Sequence, residues 1–174
     1  MTASIILADA ALREGKNVVQ SQNYGPEVRG GHSTAYVIIS GESILYPKVD
    51  RPNLLVVMSG KDHEPYLKDI SEEGLLLVDG EEDSDPLPAN VYRIPITHIA
   101  HDEVERPITA NIVCLGAIVG LTDLVSVGAA IAAMEASIPP RAVVINRKAF
   151  TLGLQAARKA REKRAAELQQ PTTF

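Results

Sequence analysis

Apolar positions in Thr2–Lys16 recur at helical spacing, with Ala3, Ile6, Leu7, Ala10 and Ala11 on one face. This predicts a helix capped by Thr2 or Ser4 and ended by Gly15. NVVQSQ, from Asn17, reads as a short strand, and STAYVIIS as a second strand rich in β-branched residues, ending at Ser40-Gly41. Between them, NYGPEVRGGHS (Asn23–Ser33) reads as a loop. ILYPKV is apolar but holds Pro47, which makes it an edge strand or an extended loop. NLLVVMS and GLLLVDG are continuous apolar runs, the pattern of strands buried on both faces of a parallel sheet. DHEPYLKDI, between those runs, is a short helix candidate. EEDSDPLP is an acidic loop, and NVYRIPI is a third strand that stops near Pro95. Helices are expected over Ile108–Leu121, Val127–Ala136 and Pro140–Gln169.

Strands alternating with helices define the expected fold class as α/β. The architecture expected is three-layer and Rossmann-like, with a mainly parallel sheet. Residues 1–174 read as one domain whose C-terminal helix covers about 140–169. A doubly wound domain usually opens on a strand and a glycine-rich turn, then a helix. Here the helix follows Met1 directly. The fold is therefore expected to lack its usual first strand, through an N-terminal truncation or a misplaced start.

With 45% hydrophobic and 22% charged residues, the composition is that of an ordinary globular domain. A formal net charge of -5 argues against wholesale nucleic-acid binding. Cys114 is the single cysteine, so no intramolecular disulfide and no Cys-ligated iron–sulfur cluster is expected on this chain alone. It is compatible with a reducing, cytoplasmic setting. The start lacks a basic segment followed by a long apolar one, so no secretory leader is expected. The apolar run Ile112–Met134 is broken by Thr122 and Asp123, which favours two buried helices over a membrane span. RKAREKRAAELQQ carries opposite charges at helical neighbour spacing, as in Arg158–Glu162 and Lys163–Glu167, and reads as a solvated helix face.

The loop at Asn23–Ser33 concentrates the candidate chemistry. Gly25 and Gly30 have the spacing of a phosphate loop, but Gly31 stands where the lysine belongs and a strand follows where a helix should. That reading fails. Gly25-Pro26 and Gly30-Gly31 suit a turn. A plain turn does not need Glu27 and Arg29, however; opposite charges between glycines also suit a loop that meets an anion or a partner. Both readings stay open on the residues alone.

Among the four histidines, His98 and His101 have i,i+3 spacing and could face one way on a helix, with Asp102 or Glu105 as a weak suggestion of a third zinc ligand. Surface or capping histidines are the better reading. Cys114 lies in the most apolar helix and reads as a buried small hydrophobe. No Ser-His-Asp or paired-carboxylate pattern stands out, so no catalytic residue is assigned to this chain.

SQNYGPEVRGGHSTAYVIIS closely resembles the signature of the gamma subunit, or gamma domain, of the 2-oxoacid:ferredoxin oxidoreductases, Tyr-Gly-Pro-Glu-x-Arg-Gly-Gly followed by a strand ending in Ser. ILYPKVDRPNLLVVMS resembles the family's next segment, with Asn53 where Asp is usual. NIVCLGA (Asn111–Ala117) and INRKAFTLG, with Asn146, Ala149, Phe150 and Gly153, resemble its later helices. The family's opening Gly-x-Gly-Gly-Gln-Gly turn has no counterpart here, so nucleotide binding by this chain alone is not expected.

The resemblance implies a non-self-sufficient subunit of an enzyme that oxidatively decarboxylates a 2-oxoacid to acyl-CoA and CO2 while reducing ferredoxin. A short separate gamma chain favours 2-oxoglutarate. Pyruvate, a branched-chain 2-oxoacid, or a non-catalytic scaffolding role are the alternatives. Thiamine diphosphate, Mg and iron–sulfur clusters are expected on partner chains, with coenzyme A as co-substrate. The implied partners are alpha and beta thiamine-binding subunits, a ferredoxin-like delta subunit as a further candidate, and ferredoxin itself. Tyr24, Gly25, Pro26, Glu27, Arg29, Gly30, Gly31 and His32 become candidates for coenzyme A, substrate or subunit contact.

Overall fold

A computed structural model describes residues 1–24, 33–58, 64–81 and 87–169. Helix α1 (Thr2–Arg13) buries Ile6, Leu7, Ala10 and Ala11, the face its spacing marks. It ends in a Schellman turn. Gly15 takes φ 76°, its N–H reaches the Leu12 carbonyl at 3.0 Å, and the Lys16 N–H reaches the Ala11 carbonyl at 3.1 Å. A Cβ would strain that backbone, which is why glycine sits there.

Strands β1 (Asn17–Tyr24) and β2 (Ser33–Ser40) pair antiparallel, from Asn17↔Ser40 at one end to Tyr24↔Ser33 at the other. Strands β3 (Leu54–Val57), β4 (Leu75–Asp79) and β5 (Val91–Ile94) form a separate parallel sheet in that order. The expectation of one mainly parallel sheet is thus met only by β3–β5. Chain length explains the exception. Eight residues separate Tyr24 from Ser33, whereas a parallel crossover needs about a dozen or more.

The parallel sheet is covered on both sides, as its apolar runs predict. From β4, Leu77 enters the main core, while Leu76 and Val78 enter a smaller cluster with Ile70 and Val91. Tyr66 and Leu67 of α2 (Glu64–Leu67) cover that second cluster. β3 lies at the sheet edge, and of its residues only Val57 is fully buried.

After β5, α3 (Ile96–His98) runs into a π-helical turn (Ile99–Glu103), where the sequence offers a helix only through the His98–His101 spacing and sets no bounds for one. Prolines 95 and 107 bracket it, and its cap is supplied by a distant residue. Asp79, at the end of β4, accepts the Thr97 N–H at 3.0 Å on Oδ1 and the Thr97 hydroxyl on Oδ2. A local search for capping residues cannot find such a partner.

Helix α4 (Ala110–Leu121), entered through a tight turn at Pro107–Thr109, is the centre of the core. Every residue from Ile112 to Leu121 is buried. Removing a side chain such as Leu115 from water contributes about 2 kcal/mol. α5 (Val127–Ser137) follows a break at Thr122–Ser126, which divides the long apolar run. Among the described residues no helix is long and apolar enough to cross a membrane.

Helix α6 (Val143–Gln169) lies along α4 in the same direction. The two backbones touch: a Cβ on Gly116 would stand 2.1 Å from the Phe150 carbonyl oxygen, and one on Gly153 would stand 2.0 Å from that of Val113. Only glycine permits this approach. Further along α6, Arg164 leaves the solvated face. It donates to the Leu87 carbonyl at 2.6 Å and to the Pro88 carbonyl, and pairs with Glu167 at 3.1 Å.

The turn after α1 clamps the α4–α5 connection. Glu14 Oε1 accepts the Ser126 N–H at 2.7 Å, and Lys16 Nζ donates to the Leu124 carbonyl at 2.5 Å. Ser126 in turn accepts the Ala129 N–H at 3.2 Å and caps α5. The arrangement resembles a capping box whose acid comes from more than a hundred residues away.

Candidate functional site

The β1–β2 hairpin carries the candidate loop. Val18 and Ile39 face the core, and Gln20 Nε2 donates to Ser4 Oγ of α1 at 3.3 Å. This seats one face of the hairpin on α1. A two-stranded hairpin is marginal alone, so α1 fixes its direction. Tyr24 ends β1 opposite Ser33. Of the residues singled out in the sequence, Gly25, Pro26, Glu27, Arg29, Gly30, Gly31 and His32 lie outside the described residues.

The carboxyl end of the parallel sheet is the usual crevice of open α/β folds. Here it holds Asp79, Glu81, His98, His101 and Asp102. The structure brings together three of the four groups considered for zinc. His98 Nε2 lies 3.2 Å from Asp102 Oδ2, and His101 Nδ1 lies 2.7 Å from Asp102 Oδ1. Each imidazole thus spends its facing nitrogen on the carboxylate between them, and His98 is also 3.7 Å from Glu81. The His101 hydrogen bond holds the Asp102 carboxyl below its usual range. Glu105 occupies a left-handed turn at φ 59°. Among the described residues no three His, Cys, Asp or Glu groups are placed to hold a metal ion.

Cys114 is buried as expected, and burial pushes its thiol up to about 12. That chemistry suits neither a nucleophile nor a cluster ligand.

The two later motifs pack against each other, a contact that reading them separately does not show. Gly116 of NIVCLGA meets Phe150, and Gly153 of INRKAFTLG meets Val113. Asn146 is buried and donates to the Ala142 carbonyl at 2.8 Å, holding the first turn of α6. Asn111 Oδ1 is buried with no hydrogen-bond partner among the described residues. The signal for this contact was small residues four apart, Gly116/Gly120 and Ala149/Gly153/Ala157, which let helices approach closely.

The family model for pyruvate ferredoxin/flavodoxin oxidoreductase matches residues 1–156. The 2-oxoglutarate synthase subunit KorC of Methanocaldococcus jannaschii is 42% identical over 161 residues, covering 90% of this chain and 86% of that one. The crystal structure of a keto/oxoacid ferredoxin oxidoreductase gamma subunit from Geobacter sulfurreducens superposes with TM-score 0.76 at 40% identity, covering 91% of each chain. The fold also recurs in a 2-oxoglutarate:ferredoxin oxidoreductase from Magnetococcus marinus, with TM-score 0.77 at 22% identity. There it covers 91% of this chain and 29% of that one. The chain belongs to the pyruvate ferredoxin/flavodoxin oxidoreductase family.

Proposed function

We propose that this chain is the gamma-type subunit of a cytoplasmic 2-oxoacid:ferredoxin oxidoreductase, with 2-oxoglutarate as substrate. The observation that carries the reading is the agreement of fold and sequence over nine-tenths of the chain with a gamma subunit of that class. Identity of 42% to a 2-oxoglutarate synthase subunit favours 2-oxoglutarate over pyruvate.

In this reading the chain shapes and completes a site whose reactive groups stand elsewhere. Thiamine diphosphate and iron–sulfur clusters supply the carbon chemistry and electron transfer when bound. The clusters are read as held by partner chains, since the one cysteine is buried with its thiol pushed up to about 12, and thiamine diphosphate is assigned to partner chains by the family resemblance. Residues 24–32 are read as the part of this chain that meets the partner's site. Arg29 holds an anion there, a coenzyme A phosphate, a substrate carboxylate or a carboxylate of the partner, through paired N–H groups. Glu27 orients Arg29 or bonds to the partner, and the flanking glycines let backbone come close.

The sheet is read as one strand short of the Rossmann-like pattern. Supporting this, β3 is an apolar run whose second edge has no described neighbour.

Co-expression with alpha, beta and delta candidates tests the function. The account expects one co-purifying assembly that reduces ferredoxin faster with 2-oxoglutarate than with pyruvate or a branched-chain 2-oxoacid. An assembly preferring another acid overturns the substrate assignment, and no assembly overturns the subunit assignment.

A further inference from the structure

The β1–β2 hairpin is separate from the parallel sheet, and no third described strand joins it. Side chains along each strand alternate between its two faces. The inward row therefore passes from Val18↔Ile39 to Gln20↔Val37 and then Gln22↔Ala35, and the ladder ends at Tyr24↔Ser33. Val18 and Ile39 pack against the main core, as does Ala3 of α1. Val37, on the next rung, joins neither apolar cluster of described residues.

That next rung is held by a polar contact instead. Gln20 Nε2 donates to Ser4 Oγ at 3.3 Å. The direction of the bond is set from the α1 side. The Ser4 hydroxyl gives its one proton to the Met1 carbonyl at 2.7 Å, which leaves its oxygen to accept. Apolar packing is non-directional, whereas a hydrogen bond constrains angle. Val18 and Ile39 thus fix how closely the hairpin sits, and Gln20 fixes its tilt on α1. From the Val18 rung to the Tyr24 rung the ladder runs about 20 Å. A tilt of about 5° at the base moves that far end by about 2 Å. Misplacing a group by about 1 Å can cost about a hundredfold in rate.

We propose that Gln20 is a positioning residue for Arg29: its bond to Ser4 sets the angle of the two strands that lead into and out of residues 25–32. This rests on the functional reading above, in which Arg29 holds an anion. Gln20 itself touches no substrate and acts through Arg29.

The test uses the co-expressed assembly and steady-state kinetics. Gln20→Met keeps the side-chain length and removes the amide, and Ser4→Ala removes the acceptor from the other side. Each should raise the same KM that Arg29→Ala raises, by about three- to tenfold, the scale of one neutral hydrogen bond. kcat should change less than KM, and the melting of the chain should stay cooperative. Two combinations separate positioning from a general structural role. Gln20→Met with Ser4→Ala should be no worse than either alone, because the same bond is lost. Gln20→Met with Arg29→Ala should be no worse than Arg29→Ala alone, because the effect passes through Arg29. Ser4→Thr, which keeps the oxygen, should retain most of the affinity that Ser4→Ala loses. A parental KM in Gln20→Met and Ser4→Ala, or an effect of Gln20→Met that adds in full to that of Arg29→Ala, overturns the positioning role while leaving the functional reading intact. If Arg29→Ala itself leaves both KM values unchanged, that reading of the loop falls and the role of Gln20 falls with it.

Discussion

Gly153 of α6 lies against Val113 of α4 so closely that a Cβ would stand 2.0 Å from the Val113 carbonyl oxygen. The neighbour is backbone in a buried helix and cannot swing aside. Gly153→Ala should therefore cost about 3 kcal/mol or more, at the upper end of overpacking effects. Gly41→Ala, where nothing stands within 4 Å, should change stability by less than about 0.5 kcal/mol. Urea denaturation of both variants decides. Equal stabilities would mean that α4 and α6 are farther apart than described.

Glu14 and Ser126 are predicted to set part of the acid sensitivity. The Ser126 backbone hydrogen bond, then its side-chain bond and that of Lys16, hold the Glu14 carboxyl below its ordinary 4.5. A depressed carboxyl stabilises the fold above its unfolded value, and the contribution is lost as pH falls through the folded value. Glu14→Gln should lower the melting temperature at pH 7, and the gap to the parent should narrow on going below pH 4.5. A gap constant with pH would rule out the charged clamp. Ser126→Ala, which removes the cap on Ala129, should cost about 1 kcal/mol.

Cys114 should resist alkylation in the native state at pH 8, because the thiol is buried and pushed up to about 12. Iodoacetamide labelling followed by mass measurement should show modification only after denaturant is added. Rapid native labelling would show that α4 is not the sealed centre of the core.

Arg29→Ala in the assembled enzyme should raise the KM for coenzyme A or for the 2-oxoacid about tenfold or more, the scale of a lost charged hydrogen bond. Arg29→Lys should recover only part of this, since a point charge does not replace a paired donor. Steady-state kinetics with each substrate varied in turn separates the two anions. Unchanged kinetics and assembly would reduce Glu27 and Arg29 to an internal pair.

Much of the fold could be read from the chain, for identifiable reasons. The apolar runs at β3 and β4 marked parallel strands because their period is uninterrupted and their neighbours are turns. α1, α4, α5 and α6 followed from spacing, and Gly15 ends α1 as expected, but neither Thr2 nor Ser4 caps it: Met1 is the N-cap, and the Ser4 hydroxyl donates to the Met1 carbonyl. The bounds of the short helical stretch at 96–103 were missed because Asp79, its cap, comes from another strand. The Glu14–Ser126 clamp is equally nonlocal. The Gly116 and Gly153 motifs were noticed as family pattern, but their partnership is a three-dimensional fact. For the candidate site, the sequence named the loop and the structure supplies its mount, a hairpin seated on α1. ILYPKV, an apolar run in which Pro47 left edge strand and loop undivided, has no regular structure, and its Leu45 and Tyr46 are exposed.

The most direct test of the subunit role is an omission assay. The alpha, beta and delta candidates are purified with and without this chain and assayed for 2-oxoglutarate- and coenzyme A-dependent reduction of ferredoxin. The account predicts that activity requires the chain and returns when it is added back. Full activity without it would contradict the account.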